Sequence, residues 1–368
     1  MSKILTLTPI VTILVIFLLS SATPFVAGEN GGNSIFIRAD GSVDPSTAPI
    51  KRNGNTYILT GDVYNKSIIV ERDGVTIDGN GHAIQGFNIP LSKGMDLTAR
   101  KHIIIEGLKI ANFYFGILLN DSQSNIIREN TISSCTYIIG ATGSENNRIY
   151  HNNFLSSPNR VYGGVNLWDN GYPDGGNFWS NSYNEDYYSG LLQNVEGSDG
   201  IGDSIYEIDE DNFDNYPLMG SLSVFKLEKQ EIVYPFHIIS NSRISSVAYS
   251  FSSNDQKISF YADNGASSDG FCLICVPHTL LDEPYEILVD GQYPSYINYN
   301  IYDNRTRRWI YFTYENPKDV QIIPEFPPTL TVALPFLLAI TLTIMIYKKK
   351  ISSLKEKHLP LVEKRKCF

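Results

Sequence analysis

Two carboxylates, Asp78 and Glu106, occupy equivalent places in matching stretches. Val75-Thr76-Ile77-Asp78-Gly79 aligns with Ile103-Ile104-Ile105-Glu106-Gly107 at an offset of 28 residues. If the two stretches lie on adjacent rows of one structure, the acids stack. A retaining glycosidase pair needs carboxyls about 5–5.5 Å apart, which adjacent rows can supply. Arg128 and Tyr150 continue the same column at steps of 22. The competing reading is that this is a turn position, polar only because it faces water.

Two other groupings could carry chemistry. Trp168, Phe178, Trp179, Tyr183, Tyr187 and Tyr188 crowd among Asp and Asn residues. Aromatic rings beside amides suit sugar rings, and Trp168, Trp179, Tyr183 and Tyr187 are the candidate binding residues. The same rings suit a cap closing an open hydrophobic end. Asp199, Asp203, Asp209, Asp211 and Asp214 fall within a Gly- and Asn-rich stretch. Hard cations prefer such oxygens, so calcium is the candidate ion; otherwise no cofactor is expected. The spacing is not that of an EF-hand, because no Glu stands at the twelfth position. A solvated acidic loop with side-chain turns explains the pattern as well.

These residues must be positioned by a repeat. Ile110, Ile132 and Phe154 are 22 residues apart, and Ile117 falls on Ile139, Asn125 on Asn147, and Asn130 on Asn152. Such a period is too short for a helical pair. The rows are short runs of Ile, Val, Phe and Tyr broken by Gly and Asn, which reads as strand and turn. The expected architecture is a parallel coil with rows about 4.8 Å apart. Ile and Phe columns fill its interior, and the Asn125–Asn147 and Asn130–Asn152 columns form amide ladders at corners. About four to five coils fit between Ser34 and Gly164. Residues 34–66 form an irregular first turn and cap, and the offset of 28 implies a loop insertion in the first regular coil.

Rows of this type, preceded by Gly74-Val75-Thr76-Ile77-Asp78-Gly79-Asn80-Gly81-His82, resemble the right-handed parallel β-helix of NosD-like proteins. The stretch Asn166 to Trp179, with Asp199-Gly200-Ile201-Gly202-Asp203 and Tyr216-Pro217-Leu218, resembles the closing segment of such repeat proteins on archaeal cell surfaces. The resemblance covers roughly residues 34–220. It implies kinship with carbohydrate-binding proteins and sugar hydrolases built on the same coil, and an association with copper handling. A copper site would want clustered His, Met or Cys. Here His102 falls on Ser124 and Asn146, His151 falls on Glu129 and Gly107, His82 is out of register and Met95 is alone.

The rest of the chain bounds the function. The 368 residues carry a net charge of −10, but residues 348–368 hold eight Lys/Arg and two Glu. The body is therefore strongly acidic, which argues against nucleic acid as a partner. Residues 1–28 read as a secretory signal. After the repeats (29–220), residues 221–320 show strand-like runs at 244–251, 257–262, 270–276, 285–289, 296–302 and 308–314. Asn264-Gly265 and Asp290-Gly291 are hairpin signals, and the expectation is an immunoglobulin-like β-sandwich. Cys272 and Cys275 are three apart in a strand, so they point to opposite faces and do not form a metal pair. Residues 321–328 read as a stalk. Thr329 to Tyr347 is an uncharged run long enough to span a bilayer, and the Lys-rich residues 348–368 put that end in the cytoplasm. Pro324-Glu325-Phe326-Pro327 resembles a sorting signal of archaeal surface proteins. Sequons at Asn65, Asn120 and Asn304 are candidate glycosylation sites.

The fold expected is therefore all-β: a parallel β-helix, a β-sandwich and one C-terminal transmembrane helix. The expected function is a cell-surface, single-pass protein that binds glycans or other polymers, or serves adhesion or envelope structure, without a reaction of its own. The alternatives are a polysaccharide lyase or glycoside hydrolase using Asp78 and Glu106, and a copper-handling accessory protein.

Overall fold

The computed structural model describes residues 34–324, apart from 156–159, 163, 253–254, 266–268, 282–283 and 316–317, together with 340–341 and 343–349. The described chain is all-β except for a short helix at its C-terminal end. It divides into two compact units. One holds residues up to 222 except 198–200, and the other holds 198–200 and the residues from 223.

The first unit is a parallel β-solenoid of about five turns. Its three faces are sheets in which strands from successive turns pair in parallel. One face stacks Ser67–Val70, Lys93–Asp96, Phe115–Asn120 and Tyr137–Thr142. The second stacks Thr56–Leu59, Thr76–Asp78, Ile104–Glu106, Ile126–Arg128 and Arg148–Tyr150. The third stacks Ala83–Gln85, Lys109–Ala111, Thr131–Ser133, Asn153–Leu155 and Phe178–Trp179. At the start, Val43–Asp44 and Ile50–Asn53 fold back antiparallel on their neighbours and close the first turn.

The 22-residue register holds in the pairing. Ile110 pairs with Ile132 and Ile132 with Phe154, while Ile117 pairs with Ile139. Because side chains alternate along a strand, one column per face points inward. The column Val63, Ile84, Ile110, Ile132, Phe154, Trp179 is at most 3% exposed. Full burial of each such side chain contributes roughly 1.5–3 kcal/mol, so the columns are the main source of cohesion.

Corners recur as regularly as strands. His102, Ser124 and Asn146 all have φ near +57°, and so do Glu129 and His151, below Gly107 at +67°. Small polar residues and glycine tolerate this left-handed conformation best. The positions of His102 and His151 in the sequence thus follow from turn geometry, and each belongs to its own corner.

The second unit contains a five-stranded and a four-stranded antiparallel sheet. Phe236, Ile274 and Phe312 from the first, with Phe260, Ile287 and Ile322 from the second, feed one buried core. The six expected strands are present, and Ser221–Lys229, Ile232–Ser240 and Lys318–Pro324 are additional. The two hairpin signals do not join paired strands. Asp255–Asp263 pairs with Lys318–Pro324, whereas Asp269–Pro277 pairs in the other sheet, so Asn264-Gly265 turns the chain between sheets. Asp290-Gly291 likewise turns the chain between Tyr285–Val289 and a strand of the opposite sheet. Cys272 lies in the core at 0% exposure, and Cys275, three residues on, is 6% exposed outside that cluster.

Gln321 to Pro324, expected as the start of a stalk, instead complete the last strand. Most of the expected span from Thr329 to Tyr347 lies outside the described residues, as do residues 1–28 and 350–368. Among the described residues no helix is long and apolar enough to cross a membrane.

Candidate functional site

The stacked acids are where the register puts them. Asp78 pairs with Glu106, Glu106 with Arg128, and Arg128 with Tyr150, all on the outer surface of the second face. Arg128, however, claims Glu106: its Nε and Nη2 donate to Glu106 Oε2 at 2.9 and 2.7 Å. Burial alone would lower the pKa of the guanidinium, but bonds to Tyr150 and Glu106 more than reverse this and hold it charged. Asp78 accepts the backbone N–H of Asn80 at 2.7 Å, a turn-stabilising contact. Glu106 is thus an ion-paired carboxylate, held by a cation from the next coil.

The two asparagine columns extend further than the repeat suggested. On one, the Asn130 amide groups donate to Asn152 Oδ1 at 3.0–3.1 Å, and Asn152 donates to Asn177 Oδ1 at 3.0–3.1 Å. The Asn177 backbone N–H then reaches Asp214 Oδ2 at 2.8 Å, and Trp179 Nε1 reaches the same oxygen at 2.8 Å. On the other, Asn125 donates to Asn147, Asn147 to Asn166, and the Asn166 N–H to Asn212 Oδ1 at 2.9 Å. Trp168 Nε1 donates to that Asn212 oxygen at 3.1 Å. One short strand, Asn212–Asp214, therefore ends both ladders and holds both indoles, because residues two apart in a strand point the same way.

This arrangement decides the fate of several candidates. Trp168 and Trp179 are 0% and 2% exposed, their rings in the core and their N–H groups bonded. They close the last turn and offer no face to a sugar. Tyr183 and Tyr187 are fully and 62% exposed, and Tyr188 is 45% exposed. Sequence reading missed Asn212 as a ladder end. The available signal was the Asn-x-Trp of Asn166 and Asn177, which copies the Asn-x-Ile of the rows above.

The five aspartates are dispersed among separate tasks. Asp203 accepts the backbone N–H groups of Tyr187 and Tyr188, at 2.8 and 3.1 Å. Asp209 accepts from Asp211 N and Asn212 Nδ2, and Asp211 is exposed. Asp199 and Asp214 are fully buried. Burial pushes the Asp214 carboxyl up to about 7, against the opposing pull of its Asn177 and Trp179 donors. Among the described residues, no group of three or more His, Cys, Asp or Glu is gathered to hold a metal ion. His82 lies 3.2 Å from Asp62, His102 is exposed at its corner, and buried His151 contacts the Asp174 carbonyl at 2.5 Å. His82 and His151 share the corner between the second and third faces but lie three coils apart, and His102 belongs to another corner.

The sequon asparagines Asn65 and Asn304 are exposed, and Asn120 is half-buried at a strand end. Asn304 Oδ1 accepts both the backbone N–H and the hydroxyl of Thr306, at 3.0 and 2.7 Å.

A cleft of about 570 Å³ opens at the corner after the third face. It is lined by Tyr64, Asn65, Gln85, Gly86, Phe87, Asn88 and Asn112. No carboxylate, lysine, arginine or histidine is among those residues.

No curated protein and no solved structure matches the chain. Residues 29–185, which span nearly all the solenoid turns, match the family model described as periplasmic copper-binding protein (NosD). Over residues 29–185 the chain is thus similar to the NosD family, and its stacked parallel turns are those of a β-helix.

Proposed function

We propose that this chain is a non-catalytic binding protein of the cell exterior, whose β-solenoid holds glycan or a related envelope polymer. The observation that carries this reading is the contrast between its two candidate surfaces. Glu106 of the acid column is held in an ion pair by Arg128, whereas the cleft is built of amides and rings. Amides and rings hold a polyhydroxylated ligand without offering the carboxyl pair that glycoside cleavage uses. The periplasmic location named by the matching family agrees with a body outside the cytoplasm. The second unit, with two antiparallel sheets around one core, suits an immunoglobulin-like sandwich, followed in sequence by a proposed anchor at Thr329 to Tyr347. The exposed tyrosines Tyr183 and Tyr187 add a second surface for polymer contact.

The copper named by the family does not fit the described residues of the solenoid. A copper site needs His, Met or Cys converging on one point. His82 and His151 share a corner but lie three coils apart, His102 sits at another corner, Met95 is buried in a core column, and Cys135 is buried. Calcium at Asp199, Asp203, Asp209, Asp211 and Asp214 remains a proposal with a direct check. Adding excess calcium to metal-stripped protein should raise its melting temperature if the loop binds the ion, and an unchanged melting curve would remove calcium from the account.

The alternative is a polysaccharide lyase or hydrolase working through Asp78 and Glu106. Retention of the full chain on isolated envelope polysaccharide separates the two. Wild type, Asp78→Asn and Glu106→Gln are expected to be retained equally and to release no soluble fragments. Fragment release by wild type that either substitution abolishes would establish the enzyme instead.

A further inference from the structure

The offset between equivalent residues shrinks within one coil. Ile77 pairs with Ile105 at 28, Ile84 with Ile110 at 26, and Met95 with Ile117 at 22. Two extra residues therefore sit in the corner 79–82, and four more in the loop 86–92. The larger insertion lies along the neighbouring coils. Asn88 N donates to Asn112 O at 2.5 Å, and Asn88 Oδ1 accepts the Thr136 hydroxyl, two coils on, at 3.0 Å. Ser92 accepts the backbone N–H groups of Tyr114 and Phe115 through its hydroxyl and carbonyl, at 3.0 and 2.9 Å. A loop held at both ends nonetheless presents Phe87 at 71% exposure, beside Tyr64 at 58%.

Those two rings wall the cleft of about 570 Å³, a volume in the ordinary range for a small-ligand site. Between them stand the side-chain amides of Asn65, Gln85 and Asn112, which make no hydrogen bond among the described residues. The Tyr64 hydroxyl donates to Asp62 at 3.2 Å, and that bond raises its pKa and keeps the phenol neutral. An apolar protein segment seated here would bury three amides without partners, an unfavourable exchange. A sugar acid would find no cation among the lining residues to pair with. A neutral sugar satisfies both demands: its hydroxyls meet the amides and its C–H face meets the rings.

We infer that this corner cleft is a binding site for a neutral oligosaccharide, with Phe87 and Tyr64 as stacking platforms and Asn65, Gln85 and Asn112 as hydroxyl partners. The inference rests on the binding role proposed above and gives it a place and a ligand class. A sugar attached at Asn65, through the sequon ending in Ser67, has the same chemistry; the proposal is for a free ligand.

Isothermal titration of the full chain with cellohexaose, mannohexaose, chitohexaose and hexagalacturonate tests it. At least one neutral hexamer should bind, and the acidic one should not. Phe87→Ala should weaken binding about tenfold or more, the equivalent of one lost ring contact. Gln85→Ala should weaken it several-fold, and Tyr293→Ala, at an exposed ring of the second unit, should leave it unchanged. Ser67→Ala, which removes the sequon but no lining residue, should also leave it unchanged. Absence of binding by every neutral hexamer, or full affinity in Phe87→Ala, overturns the inference. So does binding that emerges only in Ser67→Ala, because an attached sugar would then fill the cleft. Retention on envelope polysaccharide that survives Phe87→Ala but is lost in Tyr183→Ala would sink this cleft and leave the broader role standing. Loss of retention by wild type would sink both.

Discussion

Asn152→Ala is expected to destabilise the solenoid by about 4 kcal/mol, read as a lowered midpoint in urea unfolding of the full chain. Asn152 lies mid-ladder at 0% exposure. Its Oδ1 accepts the Asn130 backbone N–H and side-chain N–H at 3.1 and 3.0 Å. Its Nδ2 donates to the carbonyls of Ile127 and Tyr150 and to Asn177 Oδ1, at 2.9–3.0 Å. Truncation removes the amide partner of two buried donors and two buried carbonyls, and a group left unsatisfied costs roughly 1–3 kcal/mol. Aspartate is no rescue: it keeps the acceptor but loses the donors, and faces Tyr150 and Ile127 carbonyls with a negative charge. Lys109→Ala, exposed on the same coil face, should cost less than about 0.5 kcal/mol. A midpoint in Asn152→Ala equal to that of Lys109→Ala would mean that the ladders are not structural supports.

Asp214→Asn is expected to change how stability depends on pH. The buried carboxyl is raised to about 7 in the fold and has its ordinary value near 4 in the unfolded chain. A group raised on folding contributes stability that is complete below pH 4 and is lost as pH rises through 7. The contribution lost over that window is on the order of 3 kcal/mol. Asparagine does not titrate, and its oxygen can accept from Asn177 and Trp179 as Asn212 Oδ1 accepts from Asn166 and Trp168. Relative to wild type, Asp214→Asn should therefore gain stability between pH 5 and pH 8. Asp214→Ala strips the acceptors from Asn177 N–H and Trp179 N–H and should be destabilised at both pH values. An unchanged difference between wild type and Asp214→Asn across the range would contradict the burial argument.

The coil was legible because its period is written in residues of one type at one spacing. Ile110, Ile132 and Phe154 needed only counting, and the pairing follows them. The ladders were legible only while the spacing held. Asn166 follows Asn147 by 19 and Asn177 follows Asn152 by 25, so the last rungs fell out of register in the sequence. The caps at Asn212 and Asp214 come from 35 or more residues beyond the indoles they hold, where no local pattern connects them. Local density likewise did not show the individual partners of the aspartates. Five carboxylates are close in sequence; Asp203 and Asp209 accept backbone N–H groups, and Asp214 serves the ladder. Column reading placed Asp78 beside Glu106 correctly, and also placed Arg128 below, but the strength of the Arg128 bond depends on rotamers that spacing does not encode. The insertion was visible as an offset of 28. Its length alone does not say that the loop would lie along the coils and leave Phe87 facing a cleft.

The central claim is that this solenoid holds a glycan and does not cut it. Mass spectrometry of neutral hexasaccharides after prolonged incubation with an equimolar amount of the full chain tests that claim directly. The account predicts that a hexamer co-elutes with the protein and is recovered at its original mass. Recovery of shortened or unsaturated products, absent when Glu106→Gln replaces wild type, would contradict it.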